Sequence, residues 1–231
     1  MDKDFLTNFL KVSDEVVRQS KTTSWPIPEG VDKTKGELGL LPEDSVIEAW
    51  QVPTSSAMLL RFFVLAQKAK TILELGTSIG FSTIWLALGA KETEGHVYTT
   101  EILPEKADIA KQNFEKSQVS KYITLLEQDI LKVLQNWNRE QKIDFVFMDA
   151  DKQRYGQYLD EMYPLLSENA LIVVDNVGNY RQHMTDFLSK CTELENSVVH
   201  FLDIDNGLLL ILKNGGANLS SITDIYKPNK I

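Results

Sequence analysis

The chain has 231 residues, 43% of them hydrophobic, which suits one α/β domain with a single buried core. Its 33 acidic and 24 basic side chains give a net charge of −9, which argues against a general binder of nucleic acid backbones. The single cysteine, Cys191, excludes an internal disulfide. All apolar runs are far shorter than the roughly 18 residues of a membrane-spanning helix, and the N-terminus lacks the apolar region of a secretory signal. We therefore expect a cytoplasmic protein without a membrane anchor.

Residues 1–53 are expected to form a helix and an irregular connection that pack on the core. Apolar side chains recur at helical spacing over residues 2–20, which predicts an amphipathic helix. Residues 21–53 are rich in proline and glycine, which is typical of an irregular connection with room for one short helix. At the other end, residues 214–231 are polar and are expected to be a loosely attached tail.

Residues 54–213 are expected to form one domain in which helices and strands alternate. A helix is predicted over residues 55–69. The predicted strands are TILEL, HVYTT, YITLLE, DFVFMDA, ALIVVDN, VVHFLDI and LLLILK. The first five are mostly unalternating apolar runs separated by helices, as in a parallel sheet buried on both faces. A short DNG turn joins the last two, so we expect an α/β fold with a doubly wound, mainly parallel seven-stranded sheet and an antiparallel C-terminal hairpin strand.

The segment TILELGTSIGFST places two glycines in a strand-to-helix turn. After the strand come Gly76 and Gly80, so backbone N–H groups and a helix N-terminus face the carboxyl end of the sheet, where such folds bind ligands. Glu74 fits poorly beside a pyrophosphate, whereas Glu101 ends the next strand and is placed to bind ribose hydroxyls. This combination predicts a site for a cationic nucleoside. A tight turn that needs glycine only for its backbone angles is the alternative.

Three oxygen-bearing side chains follow two further predicted strands. Asp149 ends the fourth strand, and Asp175 and Asn176 end the fifth. Adjacent parallel strands have their carboxyl ends side by side, so these three side chains can converge beside the glycine turn. Hard oxygen donors without histidine or thiolate suit Mg²⁺, Mn²⁺ or Ca²⁺. A single aspartate at a strand end is commonly a turn former, but the three together favour a divalent cation site.

These motifs resemble those of class I S-adenosylmethionine-dependent methyltransferases, and more narrowly the cation-dependent O-methyltransferases that include catechol and caffeoyl-CoA O-methyltransferases. The resemblance covers about residues 50–213 and lies in LELGTSIGFST, MDADKQRY, VVDN and DNGLLLILK. It implies a Rossmann-like fold and methyl transfer from S-adenosylmethionine to a hydroxyl of a small phenolic acceptor of the catechol or caffeoyl type. It also implies a divalent cation and a homodimer.

The same resemblance implies roles for individual residues. Lys152 is expected to assist deprotonation of the acceptor hydroxyl. Asp149 is expected to share in catalysis and to bind the cation with Asp175 and Asn176. Asp129 falls at the adenine end of the cofactor, although the N-cap of the following helix is an equally good interpretation. The residues expected around the cofactor are Val52, Glu74, Gly76, Thr77, Ser78, Ser82, Glu101, Asp129, Ile130, Asp149 and Asp151.

Two other functions stay open at this point. A tRNA wobble hydroxyuridine O-methyltransferase would look similar and would also use a cation, but the net charge of −9 argues against it. A catalytically silent cofactor-binding protein would keep the nucleoside site, but the intact set of Asp149, Lys152, Asp175 and Asn176 argues against it. Three aromatic residues are candidates either for the wall of an acceptor pocket or for ordinary packing: Trp25, Trp50 and Tyr180.

Overall fold

The computed structural model describes residues 2–26 and 46–214. Its helices are α1 (Lys3–Ser20), α2 (Thr54–Gln67), α3 (Phe81–Thr93), α4 (Pro104–Lys116), α5 (Ile130–Gln135), α6 (Tyr155–Met162) and α7 (Thr185–Glu193). Its strands are β1 (Ser24–Trp25), β2 (Ile47–Glu48), β3 (Thr71–Leu75), β4 (His96–Thr100), β5 (Ile123–Leu126), β6 (Ile143–Met148), β7 (Leu166–Val174), β8 (Ser197–Leu202) and β9 (Leu208–Lys213). Most of the predicted irregular connection and nearly all of the predicted polar tail lie outside the described residues. Within the described ranges, no helix has both the length and the apolarity needed to cross a membrane.

The strands β3 to β9 form a seven-stranded sheet in the order β5-β4-β3-β6-β7-β9-β8. The five strands β3 to β7 pair in parallel. The strand β9 pairs antiparallel with β7 on one side and with β8 on the other. Within this sheet, β9 therefore runs against the other strands, and β8 forms the edge. The arrangement confirms the predicted mainly parallel, doubly wound sheet with its antiparallel C-terminal hairpin strand.

Both faces of the sheet are buried, which explains why the parallel strands are apolar without alternation. In β6, Phe145 and Phe147 pack into the hydrophobic cluster that also contains residues of α1 to α4. Between and after them, Val146 and Met148 pack into the cluster on the opposite face, which contains residues of α5 to α7. Successive side chains of a strand point to opposite faces, so a strand covered on both sides needs apolar residues at every position.

The predicted N-terminal helix is present as α1 and packs on α3. Its Phe9 ring is buried and meets Trp85 edge to face, with ring centroids 5.1 Å apart. The Trp85 indole N–H also donates a hydrogen bond to Ser13 Oγ at 3.1 Å. The helix begins after Asp2, whose side chain accepts the N–H of Asp4. These contacts fix α1 to the layer of helices that covers β3.

The hairpin of β8 and β9 is tied to the start of α2. The hydroxyls of Ser55 and Ser56 both donate to Asp205 Oδ2, each at 2.6 Å. These hydrogen bonds lower the pKa of Asp205. The hairpin loop is thereby held against the helix that precedes the first strand of the large sheet.

Candidate active site

A cavity of about 560 Å³ opens at the carboxyl ends of β3, β4, β6 and β7. This is where open parallel sheets bind ligands, and the volume is usual for a small-molecule site. Of the residues that the sequence places at the site, only Glu74 is not part of the cavity wall. The others line it: Val52, Gly76, Thr77, Ser78, Ser82, Glu101, Asp129, Ile130, Asp149, Asp151, Lys152, Asp175 and Asn176.

Backbone hydrogen bonds beyond the strand ends bring the site residues together. The N–H of Asp149 donates to the carbonyl of Leu75 at 3.0 Å, which places the end of β6 beside the end of β3. The N–H of Asp175 donates to the carbonyl of Met148 at 3.0 Å, which places β7 beside β6. The parallel register therefore continues past the strands, and Asp149 and Asp175 face the same cavity.

The two glycines of the turn between β3 and α3 have different structural roles. Gly76 has φ +100°, and a Cβ at this position would overlap the backbone carbonyl of Asp149. Gly80 has φ +87°, and a Cβ there would run into the ring of Phe114 in α4. Only glycine tolerates both the positive φ and the close approach. Gly76 thus brings the turn against the end of β6, whereas Gly80 allows α3 to pack closely against Phe114 of α4.

Glu101 is held by the backbone around it. Its Oε2 accepts the N–H of Ser78 at 2.9 Å, and its Oε1 accepts the N–H groups of Ile102 and Leu103 at 2.9 and 3.0 Å. Burial raises the pKa of Glu101, while these hydrogen bonds and the nearby charge of Lys106 oppose the rise. The Ser78 hydroxyl is buried and has no hydrogen-bond partner among the described residues. A fixed carboxylate and an unpartnered hydroxyl thus lie on one wall of the cavity.

Glu74 lies beneath the glycine turn and not on the cavity wall. Its Oε2 accepts hydrogen bonds from the hydroxyls of Thr83 in α3 and Thr99 in β4. Its Oε1 is buried and has no hydrogen-bond partner in the described part of the chain. Burial raises the pKa of Glu74 to about 7. In this structure the residue supports the turn from below, and its predicted contact with the cofactor stays a prediction.

Asp129 acts as the N-cap of α5 and also forms an ion pair. Its Oδ1 accepts the N–H of Leu131 at 3.0 Å. The Arg154 guanidinium binds the same carboxylate in a bidentate way, with Nη1 2.8 Å from Oδ2 and Nη2 3.3 Å from Oδ1. The hydrogen bonds from Arg154 lower the pKa of Asp129. The N-cap interpretation is thus observed, and a contact with adenine stays a prediction.

The other polar cluster lies at the ends of β6 and β7. Lys152 is only 4% exposed, and its Nζ lies 2.8 Å from Asp149 Oδ1. The Asn176 amide donates to Asp175 Oδ2 at 3.1 Å, whereas Asp175 Oδ1 is buried without a hydrogen-bond partner among the described residues. Burial and the charge of Asp149 raise the pKa of Asp175 to about 7. The Lys152 ammonium opposes this rise, so one buried cation faces the two carboxylates of Asp149 and Asp175.

No group of three or more histidine, cysteine, aspartate or glutamate side chains in residues 2–26 and 46–214 is arranged to hold a metal ion. The predicted set of Asp149, Asp175 and Asn176 contains two carboxylates and one amide. Its oxygen atoms are hard donors of the kind that Mg²⁺ and Ca²⁺ prefer.

The cavity wall next to this cluster is polar and has one aromatic ring. Asn179 Nδ2 donates to Asn206 Oδ1 at 2.9 Å, which joins the loop after β7 to the hairpin loop. The Tyr180 ring lies 5.8 Å from Lys152 Nζ. Trp50 also lines the cavity, whereas Trp25 lines a smaller neighbouring cavity of about 130 Å³. Two of the three aromatic candidates therefore lie on the wall of the main cavity.

Several lining residues are not among the sequence predictions. Arg154 lies inside the motif MDADKQRY, and Gln128 directly precedes Asp129, so their positions were available from the motifs. Lys106 belongs to the buried stripe of α4, and a charged residue in such a stripe is itself a signal. Asn206 lies inside the motif DNGLLLILK, in the hairpin loop, so its position was available in the same way.

Comparisons with known proteins agree with this geometry. Residues 39–186, more than half of the chain, match the model of the O-methyltransferase family. A catechol O-methyltransferase of Mycobacterium tuberculosis is 34% identical over 164 residues, which cover 66% of this chain and 73% of that protein. A catechol O-methyltransferase of Niastella koreensis is 32% identical over 131 residues, which cover 56% of this chain and 59% of that protein.

A solved structure shows the same fold. The O-methyltransferase from Bacillus cereus, in complex with S-adenosylhomocysteine, has a TM-score of 0.69 and 24% identity, and the match covers 88% of this chain and 90% of that one. The family match spans the glycine turn and both aspartate-bearing strand ends of the cavity. The chain therefore belongs to the family of S-adenosylmethionine-dependent class I O-methyltransferases that includes catechol O-methyltransferases.

Proposed function

We propose that this protein transfers the methyl group of S-adenosylmethionine to one hydroxyl of a small vicinal diphenol, in a reaction that needs a divalent cation. The observation that carries the proposal is the buried Oδ1 of Asp175, which has no hydrogen-bond partner in residues 2–26 and 46–214 and lies beside Asp149 in the same cavity as the glycine turn. The catechol O-methyltransferases among the relatives support the class of acceptor.

S-adenosylmethionine would supply a sulfonium methyl group that an oxygen nucleophile can attack, with S-adenosylhomocysteine as the leaving group. In this proposal Glu101 binds the ribose hydroxyls, because its carboxylate is already fixed by backbone N–H groups at the end of β4. The methionine part lies against Ser78 and Ser82, where the buried Ser78 hydroxyl has no hydrogen-bond partner in the described part of the chain. The remaining cofactor contacts come from Val52, Gly76, Thr77, Asp129, Ile130, Asp149 and Asp151, with Glu74 supporting the turn from below.

The residues at the ends of β6 and β7 fit a divalent cation. Asp149, Asp175 and Asn176 offer hard oxygen donors, and Asp175 Oδ1 lacks any other partner in the described residues. A phenol has a pKa near 10, and a bound Mg²⁺ or Mn²⁺ would lower it enough to form the nucleophile near neutral pH. The raised pKa of Asp175 follows from its burial and from the neighbouring charge of Asp149, and a bound cation would oppose both effects.

Lys152 adds a second positive charge at the same place. Burial of its side chain and the 2.8 Å contact with Asp149 fix Nζ near the end of β6. There the ammonium stabilises the oxyanion that forms when the acceptor hydroxyl loses its proton. The polar wall of Asn179 and Asn206 and the Tyr180 ring limit how the acceptor can lie. Such positioning contributes up to about 7 to 11 kcal/mol in favourable model reactions.

The decisive experiment measures transfer of the labelled methyl group to matched acceptors, with Mg²⁺ or with EDTA. We expect transfer to catechol and caffeoyl compounds, little transfer to the corresponding monophenols, and loss of activity in EDTA that added Mg²⁺ restores. Undiminished transfer in EDTA would contradict the cation site. Bulk tRNA as an acceptor provides the third arm, and transfer to tRNA alone would replace the small-molecule proposal.

We also propose that the protein is a homodimer, with α1 as part of the contact surface. Leu6 and Leu10 are large apolar side chains on this helix and are 37% and 46% exposed. Size-exclusion chromatography with light scattering should show a mass of twice 26.2 kDa. Leu10→Glu is expected to shift the mass toward the monomer, and a monomeric wild-type protein would refute the proposal.

A further inference from the structure

A buried lysine lies between the main cavity, on the side of Glu101, and the smaller cavity that Trp25 of β1 lines. Lys106, in α4, is 4% exposed. It lines both the main cavity of about 560 Å³ and the neighbouring cavity of about 130 Å³. A buried ammonium group is strongly unfavourable unless its surroundings compensate the charge. The groups around Lys106 therefore indicate what this charge does.

Two indole rings face the Lys106 ammonium. Its Nζ lies 4.8 Å from the ring centroid of Trp50 and 5.8 Å from that of Trp25, within the range of cation–π interactions. Trp25 belongs to β1 and pairs with Ile47 of β2, and Trp50 follows β2 and lines the main cavity. One cation thus contacts aromatic groups from both ends of the small two-stranded sheet.

The same charge acts on Glu101. Lys106 is close enough to oppose the effect of burial on the pKa of Glu101. Glu101 in turn accepts the N–H of Ser78 in the glycine turn. A second lysine of α4, Lys111, has a different environment. Its side chain is 46% exposed, and its Nζ lies 2.7 Å from Glu127 Oε1 on the surface.

We propose that Lys106 is a positioning residue for the cofactor. Its cation holds the Trp50 indole as a wall of the cavity and favours the ionised, ribose-binding form of Glu101. Through these contacts Trp25 and Trp50, at the small sheet of β1 and β2, contribute to cofactor affinity without supplying a catalytic group. The proposal rests on the ribose contact that the proposed function assigns to Glu101.

The test compares Lys106→Met, Lys106→Arg and the surface control Lys111→Met. Calorimetric titration with S-adenosylhomocysteine should show about tenfold weaker binding for Lys106→Met, wild-type binding for Lys111→Met, and a loss of less than threefold for Lys106→Arg. In turnover, Lys106→Met should raise the KM for S-adenosylmethionine by a similar factor and leave kcat and the acceptor KM within twofold. A purely structural defect would lower kcat and affect the arginine variant equally.

A double-mutant cycle with Glu101→Gln separates this inference from the proposed function. Glu101→Gln should weaken binding of S-adenosylhomocysteine, and Lys106→Met should then add less than threefold. Wild-type affinity of Glu101→Gln would refute the ribose contact and the inference with it. Weak binding by Glu101→Gln with wild-type binding by Lys106→Met would refute only the inference. If Lys106→Met does not fold, Trp50→Leu decides, because wild-type affinity of that variant would overturn the role of the cation and its indole wall.

Discussion

The cavity has a proposed cofactor end, at Glu101 and Asp129, and a proposed acceptor end, at Asp149 and Asp175. The two ends differ in how the negative charge of their carboxylates is compensated. At the cofactor end, Glu101 accepts three backbone N–H groups, and Asp129 is bound by Arg154. At the acceptor end, Asp175 keeps a buried oxygen without a partner in the described residues, and its pKa is raised to about 7. At the first end each of these carboxylates has its hydrogen-bond partners in the protein, whereas at the second end the Lys152 ammonium faces the two carboxylates of Asp149 and Asp175. We therefore expect cofactor binding to be independent of a cation and catalysis to require one.

The largest expected effect comes from removing the negative charge at the acceptor end. Asp175→Asn should lower kcat by about 10³-fold, because it would remove a ligand of the proposed cation, whose electrostatic contribution to catalysis is several kcal/mol. The affinity for S-adenosylhomocysteine should stay within threefold of wild type. Steady-state kinetics and calorimetry measure both quantities, with the exposed Asp203→Asn as the control. A variant that kept more than a tenth of wild-type kcat would remove the distinction between the two ends.

The next largest effect is expected at Gly76, which brings the glycine turn against the end of β6. Gly76→Ala should lower the free energy of unfolding by about 3 kcal/mol, because φ is positive and the new Cβ meets the backbone of Asp149. Gly80→Ala should lower it less, by about 1 to 2 kcal/mol, because the group in its way is the ring of Phe114 and a side chain can move. Urea denaturation measures the difference. Equal losses of stability in the two variants would show that the close approach of Gly76 to the backbone of Asp149 does not determine the cost of the substitution.

The stability of the protein should depend on pH through Glu74, which lies beneath the glycine turn. The pKa of Glu74 is about 7 in the folded protein and near 4.5 when unfolded, so the folded state binds more protons between these pH values. Stability is therefore highest below the unfolded pKa and decreases as the pH rises toward 7. Between pH 5 and pH 8, the wild-type protein should lose about 1 to 3 kcal/mol more stability than Glu74→Gln. Denaturant titrations of the cofactor-free proteins test this, and the same pH dependence in both would place the titration elsewhere.

The smallest effect is expected at the partly exposed ion pair of the cofactor end. Arg154→Gln should change the free energy of unfolding by less than about 1 kcal/mol, as is usual for such pairs. Because the partner Asp129 lines the cavity, cofactor binding should weaken by about two- to fivefold while kcat is unchanged. A large fall in kcat with normal affinity would instead assign Arg154 to the acceptor end.

Periodicity and parallel geometry account for most of what the sequence predicts correctly. The apolar runs identify the strands because both faces of the sheet are covered. The aspartates at the ends of β6 and β7 meet because neighbouring parallel strands end at one edge. The position of Glu74 beneath the glycine turn could not be predicted from the motif alone. Glu74 points to the same side of β3 as Ile72, toward α3, where Thr83 binds it, so the pleat directs it away from the cavity.

Contacts between residues far apart in the chain could not be predicted from such local patterns. The contact between Lys106 and the two indoles depends on how β1 and β2 lie on α4, and no spacing in the sequence encodes that placement. The Asn179–Asn206 wall likewise depends on the hairpin returning beside β7. Such contacts arise from tertiary packing, which local patterns leave undetermined.

The position of β9 has a consequence for synthesis of the chain. Residues Leu171–Val174 of β7 pair on one side with β9, which the ribosome completes last among the strands of the large sheet. Until then the nascent protein presents an open apolar edge able to recruit strands from other molecules. The cavity residues at the ends of β3, β4 and β6 are already translated at that stage, whereas Asn206 is not. Release of a chain truncated between residues 175 and 208 would therefore leave the edge of β7 uncovered and the product prone to aggregation.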